Sequence, residues 1–343
     1  MKGRIIVIEP GPPAKVALVE DGRLIDLLID PASGRAPEIE EIHRVRVRRV
    51  IPKQGAAHVK LADGGKGFLR DVKGVREGDI VIAQVTGYAE PGKGPPMSAR
   101  RLHRGRYAIL TPDAPGVNVA RSIRDREARE RLQAIADEMM DGAEAGLIIR
   151  SAALDADEAE IRDDIADLLT MEGAMSLDGP PELLAEAPGA EIIAWREWGE
   201  PDEVVREDGA FDRLGLWDAI DALRSPRAEL GHGAWMSVEP TSALVAVDVN
   251  TGADASFDAA QKANMAACAE LARQLRLRGL GGQVVVDFAP MRKNDRKAVE
   301  SALKRAFSGD PVQTTLAGWT PLGCFELLRK RERRPLAEVL GDE

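Results

Sequence analysis

Three polar residues, Asp248, Asn250 and Asp287, sit where apolar runs end, and oxygen-bearing groups placed there could hold a cation. Asp248 and Asn250 close the run LVAVDVN, and Asp287 falls near the end of QVVVDF. Residues i and i+2 of a strand share a face, so Asp248 and Asn250 point the same way. Between the two runs lies the helical stretch FDAAQKANMAACAELARQLRLRGLGG, closed by the paired glycines Gly281 and Gly282. A strand–helix–strand unit of this kind is nearly always right-handed with parallel strands. Parallel neighbours bring their carboxyl ends to one sheet edge, about 4.8 Å apart, where open α/β sheets bind ligands. Two carboxylates that close repel unless a cation lies between them or one is protonated. A hard divalent cation such as Mg²⁺ uses one or two carboxylates with waters and phosphate oxygens, which this trio could supply. The plainer alternative has each acid capping the loop or helix that follows; it accounts for one such aspartate better than for the pair. Glu239, in SVEPTSAL, is either an outer ligand or, the preferred reading, a turn residue.

The remaining elements must position that edge. LVAVDVN is nearly all apolar, as expected of a central strand buried on both faces. Residues 4–30 alternate as a hairpin, RIIVIEP then KVALVEDGRLIDLLID, with Asp21–Gly22 as the turn. From 37 to 105 short strands alternate with glycine-rich turns, the pattern of a small barrel, ending in the mobile-looking EPGKGPP. RYAILTP and GLIIRSA read as strands; SIRDREARERLQAIADEMM and ADEAEIRDDIADLLTM read as helices, the first starting at Ser122 with Asp125 completing a near capping box. GPPELLAEAPG is a candidate boundary.

At 343 residues, with 44% hydrophobic and 30% charged side chains, the chain is an ordinary globular sequence of two or three domains. It lacks the apolar run of a membrane span or secretory signal, so a cytoplasmic protein is expected. Cys268 and Cys324 lie far apart in no CxxC, and His43, His58, His103 and His232 are scattered, which argues against zinc, a disulfide framework or a histidine metal cluster. The net charge of −10 conceals a division: residues 1–110 carry 20 basic against 13 acidic side chains, 111–247 carry 12 against 31, and 248–343 carry 15 against 13. Local basic faces can bind phosphates inside an acidic protein, although any one of RVRVRR, ARRLHRGR or RKRERR is by itself more simply a solvated face.

ALVAVDVNTG, NMAACAELARQLRLRGLGGQVVVDFAPM and LGCFELLRKR together resemble the catalytic region of the ribonuclease E/G family. VALVEDGRLIDLLID resembles the family's opening hairpin, RVRVRRVIPKQGAAHVKLADGGKGFL its inserted S1 barrel, and VNVARSI with LIIRSAA its pocket for the RNA 5′ end. The resemblance implies a multidomain α+β and α/β protein: a hairpin within the catalytic scaffold (1–36), an S1-like (OB) RNA-binding barrel (37–105), a 5′-end sensor-like α/β subdomain (106–180), an abridged RNase H-like segment (181–235) and a metal-binding catalytic α/β subdomain (236–343). It implies that Asp248 and Asp287 ligate Mg²⁺, or Mn²⁺ in its place, and that Asn250 orients an aspartate or the attacking water. Phe68, His58 and Lys60 would contact RNA on the barrel, Arg329, Lys330 and Arg331 would meet its backbone, and Arg150 with Ser151 would hold a 5′-monophosphate. Phe68 is equally a barrel-core phenylalanine, and Arg150 equally a surface strand residue.

Departures from the family pattern qualify these roles. AAHVK places His58 where an aromatic and Lys60 where an acid is usual; DFAPM places Pro290 where relatives carry an outer carboxylate; VNVAR lacks the paired glycines of the 5′ pocket. The chain ends at Glu343 before the cysteine pair through which larger relatives share zinc, so no zinc and no zinc-linked assembly are expected, which leaves a homodimer open. The leading expectation is a Mg²⁺-dependent endoribonuclease that cuts single-stranded, A/U-rich RNA to 5′-phosphate products. The alternatives are an RNA-binding protein that kept the scaffold and lost cleavage, and a metal-binding α/β protein without an RNA partner.

Overall fold

The computed structural model describes residues 2–31, 36–90 and 92–341; Pro91 of EPGKGPP lies outside them. The chain forms two compact units, one of Met1–Ser33 with Pro201–Glu343 and one of Gly34–Glu200. The first opens with an antiparallel run of β1 (Arg4–Glu9), β2 (Lys15–Glu20) and β3 (Arg23–Ile29). Asp21 (φ 48°) and Gly22 (φ 81°) make the β2–β3 turn; two left-handed positions are what a tight turn of matching twist demands, and Asp-Gly supplies them cheaply.

The second unit begins with β4 (Ile42–Ile51), β5 (Ala56–Lys60), β6 (Lys66–Arg70), β7 (Ile80–Val85) and β8 (Pro96–Ser98). They pair in the order β4-β5-β6-β8-β7, and β7 returns to β4, closing a five-stranded barrel that fits an OB-like fold. Val45, Val47, Ala57, Val59, Leu69, Val85 and Met97 fill it. A four-stranded sheet follows, of β9 (His103–Arg104), β10 (Ala108–Thr111), β11 (Gly116–Val119) and β12 (Gly146–Ile149), packed with α1 (Arg126–Met139) and α2 (Glu158–Gly173). Helix α1 starts later than expected: Asp125 is itself the N-cap, accepting from the Ala128 amide at 2.7 Å, so Ser122 lies outside the helix. GPPELLAEAPG is no bare linker, because β13 (Glu182–Ala185) within it pairs with β4 before α3 (Ala190–Glu197).

Back in the first unit, β14 (Glu203–Arg206) adds parallel to β1, and α4 (Ala210–Arg213) and α5 (Leu216–Ala222) pack on that sheet. Residues 181–235 are thus shared among three sheets. The last sheet contains β15 (Arg227–Gly231), β16 (Ala234–Pro240), β17 (Val245–Asn250), β18 (Gly282–Asp287), β19 (Thr314–Trp319) and β20 (Phe325–Arg329), in the order β15-β16-β17-β18-β20-β19. Only β17 and β18 run parallel, joined by α6 (Phe257–Leu277); α7 (Arg296–Ser308) links β18 to β19.

Helices α6 and α7 cover one face of this sheet, where Val245, Val247, Val249, Val284, Val286 and Leu327 meet Ala263, Ala267, Leu271 and Leu303. Each such fully buried aliphatic stabilises the fold by about 1.5–3 kcal/mol. The opposite face carries Ala246, Asp248, Gln283, Asp287 and Glu326, all exposed. Burial along β17 therefore alternates, contrary to the two-sided burial its apolar sequence suggested. With mainly antiparallel neighbours, one face of a sheet can stay uncovered. Helix α6 also ends earlier than its paired glycines implied: Gly279 (φ 66°) accepts the left-handed turn, while the Leu280 amide donates to the Leu275 carbonyl at 2.8 Å and the Gly279 amide to that of Arg276 at 3.1 Å. A side chain at Gly279 would collide with the Arg334 carbonyl.

Candidate functional site

Asp248 and Asp287 are direct partners in the parallel β17–β18 register, so both carboxylates leave the same face of the sheet at its carboxyl edge. Both are exposed, and among the described residues neither has a basic partner. Asn250 Nδ2 donates to Asp248 Oδ2 at 2.8 Å, which fixes that carboxylate and leaves its second oxygen open. On β16, Ser237 lies opposite Asp248, Trp235 opposite Asn250 and Glu239 opposite Ala246; on β20, Glu326 lies opposite Val285. Glu239 is therefore a strand residue on the same face rather than part of a turn. No group of three or more His, Cys, Asp or Glu among the described residues converges as a closed metal cage. A pair of carboxylates with room for water and phosphate is the donor set a Mg²⁺ ion uses, and a poor one for zinc.

The strand exit after Asp287 is held by a residue the sequence reading passed over. Asn264 of α6, 1% exposed, accepts from the Ala289 amide at 3.0 Å and donates to the Ala289 carbonyl at 2.9 Å. This pair of bonds pins the chain two residues beyond Asp287. The one available signal was an asparagine among the apolar residues Ala260, Ala263, Ala267 and Cys268 on the buried side of the helix.

On the barrel, Phe68 points outward, since it is absent from the packed interior and half-exposed. His58 is its cross-strand partner, with ring centroids 5.6 Å apart, and the Arg70 guanidinium lies 5.8 Å from the Phe68 centroid. Lys60, opposite Lys66 on the same face, is exposed. The result is an outer surface of aromatic rings among cations, the composition that single-stranded nucleic acid uses for stacking and phosphate contact.

Arg150 is placed differently. Its guanidinium donates to the Gly105 carbonyl at 2.7 Å and to Glu197 Oε2 at 2.7 Å, while Arg196 binds Glu197 at 2.7 Å and clasps Glu40 through both terminal nitrogens. Burial pushes Glu197 upward, but Arg150 and Arg196 outweigh it and hold the carboxyl below its ordinary range. Arg150 is thus committed inside the protein, with exposed Ser151 beside it beginning a short 3₁₀ turn. The cluster 329–331 also divides. Arg329 is 2% exposed and bonded to Asp310 at 2.8 Å and Thr314 at 3.0 Å, so it anchors β20 and cannot reach a ligand outside; Lys330 is exposed beside Glu332, and Arg331 lies against Gly282.

No described helix is long and apolar enough to cross a membrane. The family model described as "Ribonuclease E/G family" matches residues 103–202 and 192–332. Ribonuclease G of Escherichia coli (strain K12) is 28% identical over 392 aligned positions, covering 96% of this chain and 80% of that protein. Ribonuclease G of Haemophilus influenzae is 28% identical over 393 positions, covering 96% and 79% respectively. Ribonuclease E of Synechocystis sp. is 27% identical over 368 positions, covering 90% of this chain and 54% of that protein.

Proposed function

The chain belongs to the ribonuclease E/G family, and from that premise we propose that it is an endoribonuclease of RNA processing or decay that uses Mg²⁺, or Mn²⁺ in its place, to cut single-stranded, A/U-rich RNA. The observation that carries the metal assignment is the register of Asp248 with Asp287, two exposed carboxylates that no basic side chain among the described residues neutralises.

Asp248 and Asp287 would hold the divalent cation, which when bound supplies Lewis acidity, lowering the pKa of water and neutralising charge on the phosphate. Asn250, by donating to Asp248, keeps that carboxylate aimed at the edge, and Asn264 keeps the strand exit from swinging. Water attacks the phosphorus, the bond to the 3′ oxygen breaks, and the products carry a 3′-hydroxyl and a 5′-phosphate. Phe68, His58 and Lys60 would hold the strand by stacking and charge, which needs unpaired bases; A/U-rich stretches offer them most readily. Lys330 and Arg331 would add backbone contact. Arg329 and Arg150 are not carried into this role, because their guanidinium groups are spent internally.

Cleavage of a short A/U-rich RNA in Mg²⁺ by wild type and by Asp248→Asn tests the assignment. Strong cutting by the wild type and loss in the variant supports it; equal cutting by both removes Asp248 from the chemistry. One observation favours a second reading, an RNA-binding protein with little cleavage: Pro290 stands three residues after Asp287 where it offers no carboxylate to the site. RNA binding by the wild type with no cut at any Mg²⁺ concentration would select it.

A further inference from the structure

The run RKNDRK, residues 292–297, leaves the sheet just after Asp287 with four cations and one acid. Among the described residues none of Arg292, Lys293, Arg296 or Lys297 makes an ion pair. Elsewhere in the same unit Arg23, Arg273, Arg276, Arg329 and Arg333 all have carboxylate partners. Two of the unpaired cations lie over aromatic rings instead. Arg292 sits 5.5 Å from the centroid of Phe257, itself 60% exposed, and Arg296 sits 4.6 Å from that of Trp319. Trp319 is braced by Phe288 at 5.8 Å, by Phe325 at 5.2 Å and by a hydrogen bond from its indole to Glu300 at 2.6 Å.

Topology puts these groups on one edge. β17 and β18 are parallel, so the loop leading to Phe257 and the loop carrying Arg292 leave the sheet beside Asp248 and Asp287. β20 runs antiparallel to β18, so the β19–β20 turn next to Trp319 returns at that same edge. An arginine laid on a ring has its planar fork oriented beforehand and keeps its donors for an anion.

We propose that Arg292 and Arg296 form a second RNA contact at this edge. Their guanidinium groups take phosphates of nucleotides flanking the scissile bond, and the exposed face of Phe257 takes one base by stacking. The proposal rests on the nuclease reading above. A polyanion with flat bases uses both halves of the arrangement, whereas an acidic peptide would use only the cations and would be repelled by Asp248 and Asp287.

The test is fluorescence anisotropy of a labelled short single-stranded RNA with the full chain in EDTA, over a range of salt, alongside Mg²⁺-dependent cleavage. The variants are Arg292→Gln with Arg296→Gln, Phe257→Ala, and Lys304→Ala on the exposed part of α7 as control. Removing two phosphate contacts should lower the slope of log affinity against log salt by about 1.4. Phe257→Ala, at an exposed position where refolding is no obstacle, should weaken binding about 5- to 140-fold, and Lys304→Ala should match wild type. A wild type that binds and cuts RNA while all variants keep its affinity and slope overturns this contact alone. A wild type that neither binds nor cuts overturns it together with the nuclease reading.

Discussion

The Arg150 pocket and the Asp248–Asp287 edge use the same kinds of side chain and reach opposite electrostatic states. In the pocket each guanidinium meets a carboxylate: Arg150 with Glu197, and Arg196 with Glu197 and Glu40. At the edge two exposed carboxylates face the same way, and among the described residues only Asp248 has a side-chain partner there, the uncharged amide of Asn250. Charges satisfied within the chain stabilise it and have little left for a ligand. Two exposed carboxylates in register with no basic partner among the described residues keep their oxygens for a cation from outside, and the proposed metal role rests on that difference.

Pocket and edge should differ most in their response to divalent cations. Chelating divalent cations should abolish RNA cutting, by about 10³-fold or more given the several kcal/mol a Lewis acid supplies, yet shift the melting temperature by no more than about 1 °C, because two exposed carboxylates do not make a structural metal cage. Melting curves and cleavage rates measured with and without EDTA check both halves. A large loss of stability would mean that the metal, if any, is structural.

Arg329 and Lys330 offer a sharper contrast between neighbours. Arg329→Ala leaves Asp310 buried with only Arg276 to balance it and should cost about 3 kcal/mol by chemical denaturation. Lys330→Ala should leave stability within about 0.5 kcal/mol and weaken RNA binding slightly. If Arg329→Ala instead folds as the wild type and loses RNA affinity, its guanidinium is not spent internally.

Glu197→Gln should cost about 2 kcal/mol, since Arg150 and Arg196 lose their shared anion. The sign of its pH dependence follows from the lowered carboxyl: stability from Glu197 is fully present above the ordinary carboxylate range, near pH 4.3, and is lost as pH falls through the lower folded value. Melting temperature measured from pH 7 to 3 should fall less steeply in the variant than in wild type below that point. The smallest effect expected concerns the RNA itself. With Arg150 already bonded, cleavage rates on 5′-monophosphorylated and 5′-hydroxyl RNA should agree within about threefold, and a tenfold preference for the phosphate would show that Glu197 yields to it.

Where chain geometry is local, the sequence was readable. Asp21–Gly22 demanded a tight turn, and the strand–helix–strand run delivered Asp248 and Asp287 to neighbouring strand ends. The resemblance to the ribonuclease E/G family, carried by ALVAVDVNTG and ELARQLRLRGLGG, is matched by the family model. What depended on distant partners was hidden. The exposed face of β17 could not be read because Ala246 is as apolar in sequence as the valines beside it, and coverage depends on which strands flank it. Arg329 looked like its neighbour Lys330 until Asp310, far away in sequence, was placed against it. Asn264 was inconspicuous because its role is defined only by the Ala289 backbone it clasps.

The most direct test of the central claim compares wild type with Asp287→Asn on one short, A/U-rich, single-stranded RNA, with cleavage followed as Mg²⁺ is titrated and RNA binding measured in parallel without Mg²⁺. The expected result is magnesium-dependent cutting by the wild type, loss of cutting in the variant, and RNA affinity equal in both to within a few fold. Magnesium-dependent cutting that survives Asp287→Asn unchanged would contradict it.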